Sequence, residues 1–79
     1  MKLGSAVHAV WVDSTAENRW TDVDGLIPEL DVCQSIGWLV RDTSDFITVA
    51  GHKSNATGCY DGLITIPRVA IKSLKRITP

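Results

Sequence analysis

Two His, two Cys and nine carboxylates are the groups in this 79-residue chain that could do acid–base, nucleophilic or metal chemistry. A Cys–His nucleophile needs thiolate and base within hydrogen-bond reach, usually with a supporting local signature. Cys33 lies in an apolar run and Cys59 follows Gly58 in a polar loop, so each reads as a small packed residue or a bystander. His8 stands among Ala and Val, where a packed, hydrogen-bonded imidazole is the expected state. The carboxylates are scattered from Asp13 to Asp61, as on a solvated surface. No metal-ligand spacing, phosphate-cradling glycine loop or nucleophile elbow occurs. The reading is a non-enzymatic protein without a cofactor or metal.

The groups that could bind are richer. Three Trp stand against one Tyr and one Phe, and Trp serves cores, interfaces and stacking sites alike. Trp38 shares a strand face with Ile36 and Val40 and reads as core. Trp11 divides between core and subunit interface. Trp20 follows Arg19 in a polar segment, where the pair could clamp an anionic, aromatic ligand. A lid over the open end of the fold is the slightly favoured alternative for Trp20. The loop 51–59, GHKSNATGC, offers His52, Lys53, Ser54 and Asn55 on a flexible support. Arg68, Lys72, Lys75 and Arg76 hold half of all the Lys and Arg. They read first as a guarded strand edge and second as a phosphate-facing surface. The ligand-binding candidates are Arg19, Trp20, His52, Lys53 and Arg68.

The elements that must position these groups are strands. Val32 to Ala50 organises the chain: two β-rich runs joined by the turn cluster Asp42-Thr43-Ser44-Asp45, in which Asp and Ser bond nearby backbone. On the first run Val32, Ile36, Trp38 and Val40 take one face, and Cys33, Ser35, Gly37, Leu39 and Arg41 the other. Gly37, in mid-strand, predicts a bend that lets one long strand serve both sides of a curled sheet. The second run ends at Ala50. Ala6 to Val12 is the first strand, with Val7, Ala9 and Trp11 facing one way. Its other face is also mostly apolar, so cover on both sides is expected, from the core and from a second subunit.

Residues 13–18 read as a loop or short helical turn, with a capping-box pattern at Ser14 and Glu17. Residues 19–32 cannot form a long helix, because Gly25 and Pro28 interrupt it. They read as a short strand or an irregular stretch wrapped over the sheet, with Asp22, Asp24, Glu29 and Asp31 in solvent. Leu63 to Ile66 is the fourth strand, opened by Asp61-Gly62 and stopped by Pro67. Arg68-Val69 makes a tight turn, and Ala70 to Ile77 is the last strand, although Ile71, Leu74 and Ile77 also fit a helix.

One domain spanning 1–79 follows from the length. A chain this short has a marginal core, and two Cys make no disulfide framework, so self-association is the expected remedy. Net charge −1 and pI near 6.0 argue against a general nucleic-acid binder. The N-terminal run stops at Asp13, too soon for a signal peptide or a span, so a cytoplasmic setting is expected. The Asn55-Ala56-Thr57 sequon then has no role.

Five strands with a long bent second strand, a hairpin and a one-turn break before the last strand resemble the small barrels of the Sm and Src-homology-3 type. More narrowly, Trp11-Val12-Asp13, Trp20, Ser35 to Val40 and Ile66 to Ile71 resemble small bacteriophage and prophage proteins of unassigned activity. The resemblance implies an all-β, strongly bent, five-stranded antiparallel barrel and a phage-borne accessory protein acting in the host cytoplasm. Some small phage barrels form oligomers and sequester nucleotide immune signals of the host, an analogy of architecture. The leading expectation is a homo-oligomeric module that captures a small anionic, nucleotide-like ligand. The alternative is a protein-interaction or structural module that blocks a host factor. Sm-like RNA binding is weaker, given the charge.

Overall fold

The Val-rich run Ala6–Asp13, apolar on both faces, makes strand β1, whose inward residues Val7 and Ala9 are fully buried. In the computed structural model, which describes residues 1–16 and 18–78, four more strands follow: β2 (Asp31–Asp42), β3 (Phe46–Lys53), β4 (Tyr60–Pro67) and β5 (Ile71–Arg76). They form one sheet in the order β4-β3-β2-β1-β5, and every neighbouring pair is antiparallel. The sheet is not closed: β4 and β5 are its two edges. The all-β, five-stranded expectation holds. A single turn of 3-10 helix, Arg68–Ala70, links β4 to β5, and the last segment is a strand.

β2 is the strand that two neighbours share. Residues 31–38 pair with β1, and residues 38–42 pair with β3. Gly37 sits at the crossover, where a Cβ would run into the Ala50 carbonyl oxygen and come within 3.0 Å of Val49 Cγ1. The glycine is required by this close backbone approach. The core is correspondingly small, built from Val7 and Ala9 of β1, Leu39 of β2, Ile47 and Val49 of β3 and Ile66 of β4. Trp11, Ala70, Ile71 and Leu74 pack against it.

The expected facing of β2 is inverted. Cys33, Ser35, Gly37 and Leu39 turn inward, and Ile36 (68% exposed) and Val32 (55%) turn out. The reason is complementary bulk: the Trp11 ring lies over the small residues opposite and donates from Nε1 to Ser35 Oγ at 3.1 Å. Trp38, expected in the core, is half-buried on the outer face. There it pairs with Ala6 on one side and Ala50 on the other, two small partners that leave room for an indole.

Other differences are local. β3 runs to Lys53 rather than Ala50, so His52 and Lys53 are strand residues paired with Asp61 and Tyr60. The 54–59 turn is tied by Ser54 N–H to Cys59 O (2.9 Å) and Gly58 N–H to Ser54 O (2.8 Å), with Gly58 at φ +73°. In the 42–45 turn Thr43, rather than Asp or Ser, makes the organising bonds: its Oγ1 accepts from the N–H groups of Asp45 and Phe46. The stretch between β1 and β2 does not wrap the sheet. It is an exposed arm with one 3-10 turn, Val23–Gly25, capped by Asp22. Trp20, at 104% exposure, covers nothing and is not a lid. The Ser14–Glu17 capping pattern lies outside the described residues. The arm makes the molecule long, 53 × 24 × 22 Å with a radius of gyration of 16.0 Å, against about 12 Å for a compact chain of this length.

Candidate functional site

A bulge in β2 builds the site. Leu39 pairs with Val49, but Arg41, not Val40, pairs with Thr48. The extra residue reverses the alternation, so Arg41 leaves the inward face it would share with Leu39 and emerges beside Thr48. Asp42 takes the other face in its place, opposite Ile47.

Around Arg41 the outer face is concave. Val40, Arg41, Thr48, Cys59, Tyr60, Leu63 and Thr65 line a groove of about 570 Å³, within the range of roughly 300–1,000 Å³ typical of small-molecule sites. Its floor is fixed by a cross-strand bond of 2.8 Å between the hydroxyls of Thr48 and Thr65. Its walls are apolar at Val40 and Leu63 and aromatic at Tyr60. The Arg41 guanidinium donates to the Val40 carbonyl at 2.8 Å. Among the described residues no carboxylate lies within ion-pair distance of it.

Tyr60 and Cys59 also line a second, smaller groove of about 280 Å³, with His52, Lys53, Ser54 and Asp61. Lys53 Nζ lies 5.9 Å from the centre of the Tyr60 ring, at the outer limit of a cation–π contact. The two grooves therefore carry Arg41, Lys53 and His52 around one aromatic ring. Asp61 is the acidic member, and its Oδ1 is engaged by the Gly62 N–H at 2.7 Å. Such an arrangement can hold a planar ring against Tyr60 and an anionic group against the cations.

Of the five candidates read from the sequence, His52 and Lys53 are brought together on this surface. Arg19 and Trp20 stand on the exposed arm between β1 and β2 and line neither groove. Arg68 lies where β4 turns into β5. Its guanidinium pairs with the Asp42 carboxylate and donates from Nε to Thr43 O at 3.2 Å, while its backbone N–H bonds Asp45 O. It thereby staples the β2–β3 turn to the β4–β5 turn. Sequence reading passed over Arg41 and Tyr60. Arg41 ends an apolar run and Tyr60 is the sole Tyr, but the bulge that joins them leaves no mark in the sequence.

Cys33 is held above the usual thiol range by its partial burial and by the neighbouring Asp31 carboxylate, with Sγ 3.6 Å from Asp31 Oδ2. His8 Nε2 meets Gln34 Oε1 across the β1–β2 pair at 2.8 Å. Among the described residues, no group of three or more His, Cys, Asp or Glu is placed to hold a metal ion, and no buried side-chain polar atom lacks a partner. No helix is long and apolar enough to cross a membrane. No protein-family model, curated protein or solved structure matches the chain.

Proposed function

We propose that this chain is a non-enzymatic binding module that captures a small anionic ligand carrying a planar ring, of the nucleotide class, at the Arg41–Tyr60 groove. The observation that carries the reading is the β2 bulge, which sets an Arg with no carboxylate partner among the described residues beside an aromatic ring, a pair of fixed hydroxyls and Lys53. The ring of the ligand stacks on Tyr60 while its phosphate meets Arg41 and Lys53, with Thr48 and Thr65 as polar contacts. His52 borders the same surface. Arg68 is assigned a structural role, because Asp42 and the Thr43 carbonyl already engage it.

The strand order, a long second strand shared between two neighbours and the 3-10 turn before β5 support assignment to the small-barrel class of Sm and Src-homology-3 type. A phage-borne accessory role, acting by sequestration in the host cytoplasm, goes with a ligand-capturing groove of this kind. One observation favours the second reading, a protein-interaction module: the exposed arm presents Trp20, Val23, Ile27 and Leu30 to solvent.

Thermal melting over a panel of linear and cyclic nucleotides tests the proposal. A ligand at ten times its Kd raises the melting temperature by roughly 5–10 °C in a domain of this size. Arg41→Ala removes the shift for that ligand. A panel that leaves the melting temperature unchanged refutes it.

A further inference from the structure

The charge of this chain is polarised by segment. Residues 13–31 carry six carboxylates and one Arg, a net −5. Residues 68–76 carry four cations and no carboxylate, a net +4. The rest of the chain balances, three cations against three carboxylates. Each charged segment also exposes large apolar side chains. On the arm these include Trp20 (104%), Val23 (76%) and Ile27 (81%); beside the basic strand Val69 is 98% exposed. Within one chain these side chains stay uncovered. β5 bonds only to β1, so its outer edge is open backbone, and a register shift leaves Lys72 without a partner on β1.

We propose that the acidic, apolar arm of one copy docks on the basic open edge of β5 of a second copy, giving head-to-tail self-association. Arm apolar residues cover Val69, while Asp24 and Glu29 face Lys72 and Lys75 of the neighbour. Opposite charge selects this pairing over arm-to-arm and tail-to-tail contacts, which bring like charges together. Apolar contact lowers the exposed hydrophobic area that so small a core leaves over. The proposal gives surfaces to self-association and does not depend on what the Arg41–Tyr60 groove holds.

Mass by light scattering tests it on three samples: wild type, an arm variant (Asp24→Lys with Glu29→Lys) and a tail variant (Lys72→Glu with Lys75→Glu). All four side chains are exposed, and β-sheet circular dichroism checks that the variants fold. Wild type is expected to show at least twice the 8.6 kDa chain mass at low salt and to fall toward monomer at about 0.5 M salt, where screening acts within ~4 Å. Each variant alone is expected to be monomeric, and their equimolar mixture to regain the assembled mass. A monomeric wild type at low salt, assembly that survives both variants, or a mixture that stays monomeric overturns the proposal. No nucleotide enters this test, so its failure leaves the groove reading standing.

Discussion

Arg41 shows how one inserted residue decides what a side chain can do. Strict alternation would bury it with Leu39; the bulge at Val40 places it on the outer face near Tyr60 instead. Charge-assisted bonds to a bound phosphate contribute about 1.5–3 kcal/mol each, so Arg41→Ala should weaken ligand binding tenfold or more in titration calorimetry, with little change in unliganded stability. Arg68→Ala should do the opposite. It breaks the staple to Asp42 and Thr43, costs about 1 kcal/mol at this half-exposed site, and leaves ligand affinity intact. Denaturant melts and titrations on both variants separate the two roles. The thiols make a third contrast. Cys33 is kept protonated by its partial burial and Asp31, so its thiolate appears only at higher pH than an ordinary thiol's. Alkylation near neutral pH should modify exposed Cys59 first, and Cys33 should catch up as pH rises above the usual thiol range. Equal rates at neutral pH would contradict that assignment.

At the scale of elements, β2 carries the fold. It pairs with β1 over one half and β3 over the other, and Gly37 permits the crossover. Gly37→Ala should cost roughly 1–3 kcal/mol by overpacking against Ala50 and Val49, read as a lower denaturant midpoint. A neutral effect would mean that the two strands do not approach so closely. The strands, the turn after Pro67 and the special position of Gly37 were legible in the sequence because β-branched runs, proline and a mid-strand glycine act locally. The facing of β2 was not. Val32, Ile36, Trp38 and Val40 make the more apolar set, yet Trp11 on the neighbouring strand fills the space that the smaller set leaves. Which face turns inward depends on a residue some twenty positions away in the chain. The candidate site was legible only at His52 and Lys53, because its other half depends on a bulge. The length of β3 was underestimated for a similar reason: Gly51 and His52 are poor strand formers held in place by pairing with β4.

The whole molecule combines a very small core with a long exposed arm. Among the described residues seven apolar ones are buried, from Val7 to Ile66, while Trp20, Val23, Ile27, Leu30, Val32 and Ile36 all stay largely in solvent. With the core so limited, Leu39→Ala should remove about 2–5 kcal/mol, a large part of the stability of a domain this size, and circular dichroism should show substantial unfolding at ambient temperature. With so small a core, a ligand or partner that bound only the folded chain would add a large share of its stability. Ligand capture in the groove between the β2 bulge and β4 is the central claim, and nuclear magnetic resonance tests it most directly. Wild-type protein is titrated with the nucleotide giving the largest melting shift, and backbone amide and Tyr60 ring signals are followed. The account predicts saturable shifts centred on Val40, Arg41, Thr48, Lys53, Tyr60 and Thr65, lost in Arg41→Ala. Shifts centred on the 14–30 arm or on β5, or no saturable shift at millimolar ligand, would contradict it.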